Sequence, residues 1–179
     1  MKKESKMNES SNRFIICEID KYGYMDKEGK IVINPQFDGA GSFSEGLASV
    51  RIGDRESGKW GFIDKEGKFV INPQFDDAWP FFEGLAKVRI DDGKSGKWGF
   101  IDKEGKFVIN PQFDWADDFS EGLASVRIGG KYGYIDKEGK IVINPQFDYA
   151  WPFSEGLARV DGGKWGYIDI EGKMVWKEE

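Results

Sequence analysis

The string KWGFIDKEGKFVINPQFDDAWPFFEGLAKVRI, residues 59 to 90, returns nearly unchanged from Lys97 and again from Lys131. An earlier version begins at Lys21, and a half-copy, KWGYIDIEGKMVWKEE, starts at Lys164. The copies begin 38, 38, 34 and 33 residues apart. Self-similarity at that period is the signature of stacked or radially repeated small modules, none of which can bury its apolar faces alone. The expectation is therefore an architecture in which each module is completed by its neighbours.

Each copy reads as three short strands, as in LAKVRI, KWGFID and FVIN. The Asp-Lys-Glu-Gly between the second and third recurs from Asp26, Asp64, Asp102 and Asp136, with Asp169-Ile170-Glu171-Gly172 as the last version. An Asp that bonds the backbone ahead of it, followed by a Gly able to adopt positive φ, describes a type I turn with a G1 bulge. The first and second strands join through anything from Gly129-Gly130 to the six-residue stretches 53–58 and 91–96, so this end of the module tolerates change. The third strand runs into Asn-Pro at Asn34, Asn72, Asn110 and Asn144, where a residue without an N–H should end regular pairing and send the chain across to the next module. Both faces of strands such as KWGFID carry apolar residues, as expected of sheets packed between neighbours. Gly61 and its equivalents mark a close approach of another backbone or ring.

The reading that follows is an all-β chain of tandem three-stranded antiparallel meanders arranged as an open β-solenoid-like stack, with a five-bladed β-propeller as the alternative. A missing fourth strand per blade speaks against the propeller. Residues 1–12, polar and aperiodic, are expected to be a disordered tail. Residues 13–179 are expected to form one repeat domain of five units, approximately 13–38, 39–76, 77–114, 115–148 and 149–179.

These residues resemble the bacterial WG-repeat family, named for the pair present here as Trp60-Gly61, Trp98-Gly99 and Trp165-Gly166, with Tyr22-Gly23 and Tyr132-Gly133 as conservative departures. The D-K-E-G-K, I-N-P-Q-F-D and E-G-L-A segments are similar to the family too, so the likeness runs from about residue 14 onward. The resemblance implies a repeat fold, often an accessory part of larger proteins, and no shared catalytic activity.

Composition narrows the function classes. The chain contains no histidine and one cysteine, Cys17, which removes Ser-His-Asp and Cys-His nucleophile systems and the usual zinc sites. No cofactor or metal is expected, and no internal disulfide is possible. A formal charge of −6, from 32 acidic and 26 basic residues with the signs interspersed, offers no basic footprint for nucleic acid. No apolar run is long enough to span a bilayer as a helix, and the start lacks the apolar stretch of a secretion signal, so neither membrane nor nucleic acid is an expected partner and the expected address is cytoplasmic. DDGKSGK, from Asp91, lacks the first glycine of a phosphate loop and reads as a hairpin loop. Clustered carboxylates such as Asp76-Asp77 and Asp117-Asp118 match no calcium loop, and the Asp of each Phe-Asp pair reads as turn support. The chain is therefore read as not an enzyme.

The informative positions are those where the copies differ. Gly39, Asp77, Trp115 and Tyr149 share one equivalent place on the crossing segment, and Gly41, Trp79, Asp117 and Trp151 share another. Variation inside a rigid template marks positions released from packing, and aromatics mixed with acids suit a ligand-binding strip. The plainer reading is tolerant loop positions whose rings cover the core edge. Asp77, Trp79, Trp115, Asp117, Tyr149 and Trp151 are the candidate ligand-binding residues. The expected role is a non-enzymatic binding or scaffold module that presents its crossing segments to a protein or peptide, with a carbohydrate or cell-wall ligand as the alternative. The framework residues Trp60, Trp98 and Trp165 recur with the scaffold and are expected in the core.

Overall fold

The computed structural model describes residues 13–91 and 96–179. The expected tail, and most of the loop that imitates a phosphate loop, lie outside the described residues.

The described chain is all-β, with one antiparallel sheet per repeat. The first sheet holds β1 (Phe14–Glu18), β2 (Lys21–Met25) and β3 (Ile31–Phe37). The second holds β4 (Gly39–Ala40), β5 (Ala48–Ile52), β6 (Lys59–Ile63) and β7 (Phe69–Phe75). The third is built from β8 (Asp77–Phe82), β9 (Leu85–Ile90), β10 (Lys97–Ile101) and β11 (Phe107–Phe113). In the fourth lie β12 (Trp115–Ala116), β13 (Ala124–Ile128), β14 (Lys131–Ile135) and β15 (Ile141–Phe147). The fifth contains β16 (Tyr149–Ala150), β17 (Leu157–Asp161), β18 (Trp165–Asp169) and β19 (Met174–Lys177).

Every repeat contains the expected three-stranded meander. Four of the five sheets extend it by a fourth strand taken from the crossing segment, so the feature whose absence spoke against a propeller is present. A four-stranded antiparallel meander is the blade unit of propellers. The crossing is itself half of a hairpin. Ser120 and Leu123 exchange both backbone hydrogen bonds, at 2.9 and 3.1 Å, around Glu121 (φ 54°) and Gly122 (φ 80°). Two consecutive positive φ values are the mark of a type I′ connection.

The Asp-Lys-Glu-Gly turns form as the spacing predicts. Asp136 Oδ1 accepts from the backbone N–H of Glu138 at 3.1 Å and of Lys140 at 2.8 Å, and Gly139 takes φ 82°. Asn-Pro does not end the third strand. Tyr132 pairs with Phe147 and Tyr134 with Ile143, so three residues of β14 face five of β15 and the proline sits in a bulge. That bulge lies on Gly133, where a Cβ would come within 2.4 Å of the Ile143 carbonyl and 2.6 Å of the Pro145 nitrogen. The glycine of the Trp-Gly pair is thus a site of backbone on backbone, as its placement in a strand suggested.

The chain divides into two compact units, Met1–Gln74, of which residues 13–74 are described, and Phe75–Glu179. In the first, Tyr24, Ile33 and Phe37 pack with Ala48, Val50 and Ile63 of the next sheet. The second has two such layers. Trp98, Phe100, Ile109 and Phe113 of the third sheet meet Ala116, Phe119, Val126 and Ile135 of the fourth. Tyr134, Ile143 and Phe147 of the fourth meet Phe153, Val160 and Ile168 of the fifth. The core therefore sits between sheets, as the repeat argument requires.

Candidate functional site

All six candidate ligand residues lie in the second unit. In β12–β14, Trp115 pairs with Arg127 and Arg127 with Tyr132. The same register joins Asp77, Arg89 and Trp98 in the third sheet, and Tyr149, Asp161 and Trp165 in the fifth. Residues directly opposite one another in a sheet project to the same face, so crossing residue, strand residue and Trp-Gly aromatic form one row. Trp79, Asp117 and Trp151 stand two residues further along and share that face.

The second row overturns the idea that its variable positions are free of packing constraint. Each has a partner on the following strand that varies in step with it: Gly41 with Ser49, Trp79 with Lys87, Asp117 with Ser125 and Trp151 with Arg159. A Cβ on Gly41 would stand 2.5 Å from Ser49 Oγ. Ser125 Oγ donates to Asp117 at 2.6 Å, and Trp115 Nε1 donates to the other Asp117 oxygen at 3.1 Å. The Lys87 ammonium lies 4.4 Å from the centroid of Trp79, 5.5 Å from that of Trp115 and 3.3 Å from an Asp118 oxygen, although Lys87 is only 3% exposed. Burial pushes the Asp118 carboxyl above its ordinary value, and the nearby ammonium partly offsets this. Here Trp79, Trp115 and Asp118 hold a cation of the chain itself.

The fourth and fifth sheets differ. Tyr132 and Tyr149 are stacked at 6.1 Å with planes 22° apart. Tyr149 and Trp151 follow at 6.1 Å and 45°, and Trp151 meets Trp165 edge to face at 5.0 Å and 60°. Tyr149 is 57% and Trp151 40% exposed. The Arg159 guanidinium covers the ring of Trp165 at 4.1 Å, and Arg127 lies 5.9 Å from the centroid of Tyr132. At the tyrosine end, Arg127, Gly130, Tyr132, Asp148 and Tyr149 line a pocket of about 310 Å³, at the small end of the range for ligand sites. Partial burial raises the affinity of the Tyr132 phenol for its proton, keeping it a hydrogen-bond donor.

Two of the three framework tryptophans depart from expectation. Trp98 is buried, with Trp115 edge to face on it at 5.3 Å, whereas Trp60 and Trp165 are only half buried. Trp165 belongs to the exposed ladder, and so does Tyr132. Lys87 and Arg159 escaped notice as site residues, yet a signal was present. Their shared position holds Ser, Lys, Ser and Arg in successive copies, the same kind of variation that singled out the crossing segment.

The acidic residues serve as bolts. Asp114 accepts from the Lys97 ammonium and from the Gly129 N–H at 3.0 Å, and these donors hold its carboxyl below the usual carboxylate range. Asp38 does the same for Lys21 at 2.6 Å and Gly53 at 2.9 Å. Turn glutamates tie repeat to repeat, with Glu83 accepting from Gly122 at 3.0 Å and Glu121 from Gly156 at 2.9 Å. Among the described residues no group of three or more His, Cys, Asp or Glu is placed to hold a metal ion, and no helix is long and apolar enough to cross a membrane.

Comparison with known proteins bears on the fold. Similar solved structures include the crystal structure of the eukaryotic initiation factor, at TM-score 0.55 and 10% identity over 93% of this chain and 51% of that one. TolB from Acinetobacter baumannii is similar at TM-score 0.46 and 13% identity, over 90% of this chain and 49% of that one. The tricorn protease is similar at TM-score 0.32 and 12% identity, over 89% and 24%. The chain thus spans about half, or less, of the length of these proteins. No curated protein matches its sequence. The model of the WG containing repeat matches residues 22–55, 60–94, 98–132 and 132–161 in tandem, and on that match over most of its length the chain belongs to the WG containing repeat family.

Proposed function

We propose that the chain is a non-catalytic binding module whose crossing segments receive a peptide or protein partner on the face carrying Tyr132, Tyr149, Trp151 and Trp165. The observation that carries this reading is the ladder of four rings in successive contact, Tyr132 to Tyr149 to Trp151 to Trp165, two of them more than a third exposed. Large rings with few rotatable bonds provide contact area at low entropic cost, which is why they dominate binding hot spots. The matched pairs at Trp79 and Asp117 belong to the scaffold on this reading, and the open end of the strip belongs to the ligand.

A photo-crosslinking residue placed at position 149 tests the proposal against the same residue at Lys106, on an exposed hairpin turn. A protein or peptide captured at position 149 alone, and released by Trp151→Ala, supports it. Equal capture at both positions, or capture indifferent to Trp151, refutes it.

A further inference from the structure

We infer that the fifth sheet seats a second copy of this chain, head to tail, with its Tyr167 and Trp176 packed on the first sheet of that copy. The template is the contact that recurs between successive sheets within each unit. The leading sheet offers a ring and an isoleucine, Tyr24 with Ile33, Phe100 with Ile109 and Tyr134 with Ile143, all but fully buried. The following sheet sets a phenylalanine edge to face on that ring, Phe43 at 4.9 Å, Phe119 at 4.8 Å and Phe153 at 4.9 Å. It also lays its hairpin glycine on the isoleucine. A Cβ on Gly67 would stand 3.1 Å from the Ile33 side chain, on Gly139 3.1 Å from Ile109, and on Gly172 3.2 Å from Ile143.

Both halves of this contact occur again without a partner among the described residues, one at each end of the chain. The fifth sheet repeats the leading half. Tyr167 holds the place of Tyr134 and Trp176 that of Ile143, opposite one another in register with rings 6.3 Å apart, yet they are 40% and 54% exposed. The first sheet repeats the following half. Ile16 and Met25 hold the places of the fully buried Val126 and Ile135 but are only half buried, and a Cβ on the hairpin glycine Gly29 would meet nothing within 4 Å.

Phe14 completes the match. It pairs with Met25 as Ala124 pairs with Ile135, so it shares the face of Met25 and Ile16. An alanine stands at this place in the other repeats, and the first sheet alone has three strands. The half-exposed Phe14 thus offers the ring that a crossing segment supplies elsewhere.

Terminal modules of a stack ordinarily turn a polar face outward. Here each end keeps one apolar half of a contact the chain makes inside itself, and the complementary half lies at the other end of the same sequence. Continuity with that internal contact identifies the occupant as another copy. The joined surfaces are unlike, so the association is heterologous and adds chains until a ring closes. Trp165 of the ladder shares this face with Tyr167, two residues on, but the contact needs none of the ladder's rings and stands without the peptide reading.

Sedimentation of the full chain from about 10 to 500 µM, a range suited to a contact of modest area, should show the mean mass rising above that of one chain. Trp176→Asp and Phe14→Asp should each weaken association at least about tenfold, while Val142→Asp, at an exposed strand position of the fourth sheet, should associate as the parent does. Circular dichroism confirms folding, and Phe14→Ala, which copies Ala124, should act in the same direction as Phe14→Asp. An equimolar mixture of Trp176→Asp and Phe14→Asp chains should regain association and stop at two chains, because each keeps the half that the other lacks. A parent that stays monomeric throughout overturns the inference. Association untouched by Phe14→Asp overturns it in favour of a symmetric contact between two fifth sheets, and a mixture that stays monomeric overturns the head-to-tail pairing.

Discussion

The ammonium of Lys87 rests 4.4 Å from the indole centroid of Trp79, with almost none of the lysine reaching solvent. A buried charge of this kind persists only where its surroundings compensate it, and here the compensation comes from Trp79, Trp115 and the Asp118 carboxylate.

Removing one partner should therefore cost more than replacing the cation. Asp118→Ala is expected to lower stability by about 2 kcal/mol, below the buried-pair range because Asp118 is itself partly exposed, whereas Lys87→Met should come within about 1 kcal/mol of the parent. Urea midpoints measure both. The pairs should also be exchangeable as units: Trp79→Gly with Lys87→Ser, copying Gly41 and Ser49, should show a coupling energy of about 1 kcal/mol in a double-mutant cycle. Strict additivity would rule out the matching of these positions.

Gly99→Ala tests the bulge. Its Cβ would stand 2.6 Å from both the Ile109 carbonyl oxygen and the Pro111 nitrogen, backbone atoms that cannot turn aside. A loss of about 3 kcal/mol or more is expected. A thermal midpoint within a degree of the parent would show that the bulge does not press on this glycine.

The link between β1 and β2 carries removable strain. Ile19 at φ 48° and Asp20 at φ 61° occupy the left-handed region that Gly129 and Gly130 occupy in the fourth repeat. A β-branched residue there is a rare outlier, and Ile19 is almost fully exposed, so nothing in the core repays it. Ile19→Asn with Asp20→Gly should stabilise the chain by about 1 kcal/mol, read as a higher denaturant midpoint at unchanged slope.

The bolting aspartates set a pH dependence of definite sign. Asp38 and Asp114 bind their protons less tightly in the fold than in the unfolded chain, Asp38 chiefly through Lys21 and Asp114 chiefly through Lys97. Their contribution is in place above the unfolded value of about 3.9 and is lost as pH falls through the lower folded value. Asp118 is shifted the other way by burial, so its effect on stability declines as pH rises from the unfolded value to the folded one. Asp114→Asn should be less stable than the parent at neutral pH and should lose less stability on acidification below about pH 4. Parallel stability profiles for the two proteins would contradict the role given to Asp114.

Much of the local structure is legible from neighbouring residues. Asp136 to Gly139 closes its own turn with backbone and side-chain bonds spanning at most four positions, and Gly129-Gly130 forms the tight hairpin its composition implies. The Asn-Pro bulge was harder to read, because whether a proline ends a strand or is absorbed by it depends on the residue opposite. That residue is Gly133, whose bare backbone leaves room for the bulge.

The strip was legible in part. Variation among copies picked out Tyr149, Trp151 and Trp79, all of which are exposed, but it could not show that Trp79 and Trp151 each stand beside a cation eight positions later, Lys87 and Arg159, whose own solvent exposure differs. Nor could periodicity tell Trp98 from Trp165, which hold the same place in the repeat and each meet a crossing aromatic edge to face, yet are buried and half buried respectively.

By itself the sequence determined the repeat, the turns, the strands and the need for every module to lean on another, because those follow from hydrogen bonds and apolar spacing within a few residues. Only the tertiary structure decided that the crossing segments become fourth strands, that Lys87 is enclosed while Tyr149 is open, and that four rings from two sheets make one ladder. Those outcomes depend on side chains brought together across sheets, where burial of one residue is set by the size and charge of another far along the chain.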